Sequence, residues 1–250
     1  MIQINNLSKS FSGRSVLKDV SFTFQTGKVN IIIGGSGSGK TVLIRCMVGL
    51  NEVDSGEVLY DGRNFYDLNF KGKKEIRKEI GMLFQGGALF DSKTVEENVV
   101  FPLSMFTELS ESEKRDRANF CLQRVNLLNA NHLFPSELSG GMKKRVAIAR
   151  AIAVQPKYLF CDEPNSGLDP KTSIVIDNLI KEITEEYDIT TIVITHDMNS
   201  VIEIGDHILF IYEGAKWWEG SKQEILKTDN KEIQDFVYAT KFMKDLRTKF

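Results

Sequence analysis

The run Gly34-Gly35-Ser36-Gly37-Ser38-Gly39-Lys40-Thr41 fits G-x-x-x-x-G-K-[ST] at every fixed position, a pattern suited to holding phosphate. Its glycines permit backbone angles that turn successive N–H groups inward as an anion nest. A helix expected from about Lys40 to Leu50 aims its positive dipole end at the same point. Lys40 supplies a point charge for β- and γ-phosphates, and the Thr41 hydroxyl can ligate Mg²⁺. A dinucleotide fingerprint needs G-x-G-x-x-G, and reading from Gly35 puts Lys40 where its last glycine belongs. That fingerprint fails.

A second cluster is Tyr158-Leu159-Phe160-Cys161-Asp162-Glu163, an apolar strand ending in two carboxylates. Asp162 is placed to hold a nucleotide-bound Mg²⁺. Glu163 is placed to act as general base on an attacking water. Alone, such a string reads as a strand running into a turn. The phosphate loop upstream gives it meaning, and together they point to a nucleoside triphosphate such as ATP with Mg²⁺.

These residues need a scaffold, and short apolar runs alternating with helical patterns indicate an α/β protein with a largely parallel sheet. Val29 to Ile33 reads as a buried strand running into the glycine loop. Further buried strands are expected at Tyr158 to Cys161, Thr191 to Ile194 and His207 to Tyr212. Residues 2–5, 16–25 and 57–60 form β-rich segments separated by Gly13-Arg14, Thr26-Gly27 and Asp61-Gly62, an antiparallel layer on the N-terminal side. From about Ser92 to Val154 charged helical stretches such as Ser110 to Leu128 dominate, which indicates an inserted helical subdomain. The expected division is a core of 1–91 and 155–220, a helical subdomain of 92–154 and a polar C-terminal helical extension of 221–250 on the surface, with a helix from about Lys231 to Arg247. Trp217-Trp218 reads as strand-and-turn packing rather than a binding face.

Composition narrows the partners. Hydrophobic residues make up 42% of the 250 and charged residues 26%, ordinary for one globular unit. A net charge of −2 disfavours a broad nucleic-acid surface. The cysteines Cys46, Cys121 and Cys161 are scattered and fit neither a zinc pattern nor a disulfide framework, as in a reducing compartment. The first residues lack a secretory pattern, and no apolar run approaches the ~18 residues that span a bilayer. A cytoplasmic protein is expected, with any membrane role exercised through a partner.

The phosphate loop leaves kinases, GTPases, helicases and motor ATPases open until Leu138-Ser139-Gly140-Gly141-Met142 is reached. That string, followed by Lys143-Lys144-Arg145, resembles the signature motif of ABC ATPases. The resemblance implies a P-loop NTPase (RecA-like) core in an ABC nucleotide-binding domain. It gives Phe11 an adenine-stacking role, where by itself Phe11 reads as a core aromatic. It makes Gln85 the Q-loop glutamine on Mg²⁺ and water, and Ser166-Gly167-Leu168-Asp169 the D-loop. It makes His196 the switch histidine on the γ-phosphate. In the family Ser139, Gly140 and Gly141 bind nucleotide held by the opposite subunit, so a homodimer, or a heterodimer with a related ATPase, is implied. Val42 follows Thr41 where serine or threonine is usual, Asn165 precedes the D-loop serine, and Met142 replaces the commoner glutamine. None removes a group that hydrolysis needs.

Phe84-Gln85-Gly86-Gly87-Ala88-Leu89-Phe90-Asp91-Ser92 and Thr94 to Leu103 resemble the Mla-type lipid-transport ATPases, although Gly86 stands where those chains usually carry serine. This implies phospholipid or related hydrophobic cargo, an integral membrane permease docked near 86–106 through Phe90, Phe101, Leu103 and Phe106, and an MCE-type substrate-binding protein. It also implies a place on the cytoplasmic face of the inner membrane. A non-transport ABC ATPase acting on DNA or ribosomes would usually need two cassettes or a long coiled coil, which 250 residues do not hold.

Overall fold

The computed structural model describes residues 1–238, and two sheets stack within them. The first is antiparallel, β1 (Ile2–Phe11), β2 (Arg14–Phe24), β4 (Ser55–Tyr60) and β5 (Arg63–Asn64) in the order β2-β1-β4-β5. The second contains β3 (Val29–Ile33), β6 (Ile80–Leu83), β7 (Tyr158–Asp162), β8 (Thr190–Ile194), β9 (His207–Tyr212) and β10 (Ala215–Gly220). Its order is β10-β9-β3-β8-β7-β6, parallel throughout except for the β9–β10 hairpin.

The two-residue period of a strand divides this second sheet between two cores. Val29, Ile31, Leu159, Val193, Ile208 and Phe210 face the helices. Ile32, Tyr158, Phe160, Ile192, Leu209 and Ile211 face the antiparallel layer, with α1 (Lys40–Met47) packed between the sheets through Leu43, Ile44 and Met47. Both faces are covered, which is why these strands read as continuous apolar runs rather than alternating ones.

The helices on the first face are α3 (Val95–Phe106), α4 (Glu111–Arg124), α5 (Gly140–Ile152), α6 (Pro170–Glu186) and α7 (Met198–Ile204), after α2 (Phe70–Lys78) at the sheet edge. Thr94 with Glu97 and Ser110 with Glu113 form capping boxes that start α3 and α4. Arg117 donates to the carbonyls of Ile152 and Ala153, closing the C-terminal end of α5 with a cation. Asn98, fully buried, accepts from Phe90 N–H and donates to the carbonyls of Phe90, Lys93 and Thr94, which fixes the segment before α3.

Several expectations need revision. The helix after the phosphate loop ends at Met47, short of Leu50, and Val48 takes the cap position. Strand β6 and helix α2 were not expected at all. The C-terminal stretch carries α8 (Lys222–Ile225) and α9 (Lys231–Val237), but it is not a surface appendage. Ile233 and Val237 are buried in the main core, and Phe236 meets Phe210 edge-on. The rest of the helix expected to Arg247 lies outside the described residues. Trp218 packs on the core as expected, while Trp217 is exposed, lies against Tyr212 and donates to Glu232. No helix among the described residues is long and apolar enough to cross a membrane.

Candidate functional site

Parallel pairing brings four loops to one edge of the sheet. Ile32 pairs with Ile194, Ile194 with Asp162, and Cys161 with Leu83. The residues that follow these strands therefore emerge side by side at their C-terminal ends: Gly34, His196, Glu163 and Gln85. Open α/β sheets place their ligand sites at this edge.

The phosphate loop is shaped by contacts that its glycines permit. Gly34 sits at φ 149°, and a Cβ there would lie 2.2 Å from the Ile211 carbonyl oxygen. Lys40, only 9% exposed, donates from Nζ to the Gly34 and Gly35 carbonyls at 2.8 and 2.9 Å. Burial pulls its pKa below the ordinary lysine value, and the charges of Glu163 and Asp162 push back. The buried hydroxyl of Ser38 has no hydrogen-bond partner among the described residues. A buried polar atom without a partner is costly, so the loop fits a ligand that brings oxygen atoms.

Asp162 ends β7 half-buried, and burial followed by the charge of Glu163 raises its pKa. A carboxylate held up in this way favours a nearby cation. Among the described residues no three His, Cys, Asp or Glu side chains gather as a cation cage. An ion held by the Thr41 hydroxyl and Asp162 would take its remaining ligands from phosphate and water, the habit of Mg²⁺.

Glu163 adopts φ 51°, the left-handed region, at a cost of roughly 1–2 kcal/mol. Its N–H donates to the Ile194 carbonyl at 3.0 Å. His196 Nδ1 lies 2.9 Å from Oε1 and 2.8 Å from Oε2 of Glu163. An ionised carboxylate only accepts, so this contact puts the ring proton on Nδ1. Glu163 is 16% exposed and His196 69%, so the imidazole covers the carboxylate from the open side.

The other expected residues divide. Ser139 caps α5, accepting from Met142 N–H, and Ser139 and Gly140 are exposed. Gly141 packs on α6, where a Cβ would come 2.6 Å from Thr172 Cγ2. Phe11 is 43% exposed at the β1–β2 turn and is not a core aromatic. Val42 packs its side chain into the inter-sheet core, so only its main chain is free to serve the site. Asp169 spends its carboxylate on capping α6, accepting from Lys171 N–H, Thr172 N–H and Thr172 Oγ1. Leu103, expected in a docking patch, is 1% exposed and belongs to the core.

Sequence reasoning missed Arg14, Ser15 and Lys18. With Gly35 to Ser38 and Tyr212 to Gly214 they line a cavity of about 640 Å³ beside the phosphate loop. Charged residues on a strand read as a solvated face, and no local signal separates the two. It also missed Lys144, 5% exposed, whose Nζ donates to the Gln85 carbonyl at 3.0 Å and the Glu163 carbonyl at 3.3 Å.

Beneath the D-loop, Asn165 donates to Asp177 Oδ1 and Ser200 Oγ. Burial raises the Asp177 pKa to about 6, against the hydrogen bonds from Ser200 and Asn165, with the charges of Asp197 and Glu203 adding to the rise. Between the unfolded value near 3.8 and about 6 the folded chain holds a proton that the unfolded chain has released. Stability is therefore lost as pH rises through that window. Asp177→Asn is expected to match the parent near pH 4 and exceed it by about 2–3 kcal/mol at pH 7.5, read from urea midpoints. Equal midpoints at both pH values would refute the buried-carboxyl account.

Comparison with known proteins is consistent with this geometry. A family model described as "ABC transporter" matches residues 17–166. The methionine import ATP-binding protein MetN of Clostridium acetobutylicum is 39% identical over 237 residues, 95% of this chain and 74% of that protein. The intermembrane phospholipid transport system ATP-binding protein MlaF of Haemophilus influenzae is 37% identical over 237 residues, 95% of this chain and 90% of that protein. The dimeric post-hydrolysis structure of the ATP-binding cassette MJ0796, bound to ADP and Pi, superposes with a TM-score of 0.80 at 35% identity, covering 89% of this chain and 99% of that one. The phosphate loop, the acidic strand end and the signature helix thus sit on the frame of a known cassette, and the chain belongs to the ABC transporter family as an ATP-binding subunit, an ATPase.

Proposed function

We propose that two copies of this chain close head to tail on two MgATP, each held between Lys40 and Thr41 of one copy and Ser139 to Gly141 of the other. One observation carries this reading. The cavity over the phosphate loop is lined by that loop, β2 and the β9–β10 turn, while Ser139 and Gly140 stand exposed elsewhere on α5. The N–H groups opening α5 are a ready phosphate site with no phosphate loop of their own beside them.

Within a closed site the chain's own groups divide the work. Mg²⁺, held by Thr41, Asp162 and Gln85, would neutralise charge between the β- and γ-phosphates. Lys40 and the loop N–H groups bind the phosphate oxygens, and Phe11 lies against adenine. Glu163, held by His196, accepts the proton of a water whose oxygen attacks the γ-phosphorus. The bond to the β–γ bridging oxygen breaks, leaving ADP and phosphate. His196 then presents Nε2 toward the phosphate. Asp169 acts through the D-loop that it ends, and the helices of 92–154 move against the core of 1–91 and 155–220.

The partner in this reading is an integral membrane permease, with this chain bound to it on the cytoplasmic face of an inner membrane. Its cytoplasmic helix fits the groove of about 270 Å³ that Phe84, Phe90, Phe101, Phe106 and Arg150 line. Phe90 and Phe101 touch at 4.6 Å between ring centroids, and Phe84 and Phe90 are each 39% exposed. Phospholipid is the proposed cargo, with an MCE-type protein as a further partner. The support is the 84–103 stretch together with a match that spans 90% of MlaF. Methionine is the competing cargo, because MetN is the more identical relative. With the chain copurified with its permease and reconstituted, ATP turnover should rise on adding phospholipid and stay level with methionine. The reverse response would overturn the lipid reading.

A further inference from the structure

We propose that Lys144 is a positioning residue for hydrolysis, its buried ammonium locking the main chain of Glu163 and Gln85 to the signature helix. This rests on the reading of Glu163 as the general base. Lys144 lies on α5 just past the signature, so the strut that presents Ser139 to Gly141 also carries this cation. A buried ammonium is costly unless hydrogen-bonded, and burial pulls the Lys144 pKa down. Its recorded hydrogen bonds go to two main-chain carbonyls rather than to a carboxylate. Those carbonyls belong to the two residues that must face the attacking water from neighbouring strands. An apolar side chain would pack there without the cost of burying a charge. The geometry therefore favours a positioning role over simple packing.

The same helix holds the Q-loop again further along. Arg150 donates from Nη1 to the Ala88 carbonyl and from Nη2 to the Gly87 carbonyl, both at 2.7 Å. Its guanidinium also lies 6.0 Å from the Phe90 ring centroid. The segment from Gln85 to Ala88 is thus bound to α5 through three carbonyls. Glu163 is bound to the same helix through one, at a residue already held in the left-handed region. A displacement of the segment is passed along α5 to the base and to the signature together, because packed helices move as units. The lysine makes the base answer to the Q-loop.

The test uses the full chain with MgATP. Lys144→Met keeps the aliphatic stem and removes the charge, and Lys144→Arg keeps a cation. Turnover of Lys144→Met is expected to fall about 100-fold with KM for ATP within about twofold of the parent, since small misplacement of a base costs that much. Lys144→Arg should recover most of the loss. In a Glu163→Gln background, Lys144→Met should still dimerise on MgATP, showing the fold, phosphate loop and signature to be intact. Turnover within about twofold of the parent would overturn the proposal. So would loss of ATP-driven dimerisation in the double variant, which marks a packing residue. If Lys144→Met does not fold, Lys144→Gln, which keeps a donor and drops the charge, is read in the same way. Failure of the base reading looks different: Glu163→Gln itself would then turn over at the parental rate.

Discussion

Glu163→Gln is expected to lower ATP turnover by about 10³-fold while ATP binds at parental affinity. The carboxylate at this position is set up for one task. Its backbone is held in the left-handed region, its amide is tied to Ile194, and its two oxygens face His196 Nδ1. Glutamine keeps the shape and can still accept from the imidazole through its amide oxygen, but it has no basic lone pair for the water proton. In the proposed site nucleotide affinity rests on other groups, Lys40 and the loop N–H groups above all. The variant should therefore bind MgATP and stay closed, because in the proposed cycle it is hydrolysis that reopens the dimer. Phosphate release, nucleotide titration and gel filtration with and without ATP measure the three parts. A parental rate of phosphate release would remove Glu163 from the role of base. A dead variant that also fails to bind ATP would make the carboxylate part of the binding site instead.

What could be read from the chain alone follows from how local each feature is. The phosphate loop, Asp162 and Glu163 lie within contiguous motifs bounded by strongly apolar strands, and the structure places them together at one sheet edge. Strands β3 and β9 run as expected because residues covered on both faces leave an unbroken apolar run. Strand β6 escaped notice because Ile80-Gly81-Met82-Leu83 is short, lies at the sheet edge and holds a glycine. Helix α2, Phe70–Lys78, escaped because its only buried residue is Ile76. Lys144 sits in Lys143-Lys144-Arg145, three cations with nothing to tell them apart. Its partners are carbonyls 59 and 19 residues away. Main-chain acceptors carry no side-chain identity, so no residue pattern announces such a contact. The same holds for α9, whose burial depends on the face that the core offers it rather than on its own polar sequence.

Lys40→Met and Ser139→Arg are each expected to abolish measurable ATP turnover alone, and mixing the two chains is expected to restore part of it. Lys40→Met removes the ammonium that the loop folds around, so that chain should lose nucleotide binding as well. Ser139→Arg should leave binding intact, because Ser139 lies outside the cavity beside the loop and is exposed. Its damage falls on closure, where a bulky cation replaces the cap of α5 at the face meant for the other copy. In a heterodimer of the two chains, one composite site carries both lesions. The other pairs an intact phosphate loop with an intact signature. With free exchange, half of the dimers are mixed and each holds one good site, so recovery should approach about one quarter of the parental rate. Recovery of that kind cannot arise if each chain completes its own site, because every site in the mixture would then be damaged. A mixture as inactive as its parts would return Ser139 to the chain that carries it and leave the exposed start of α5 without a phosphate to bind.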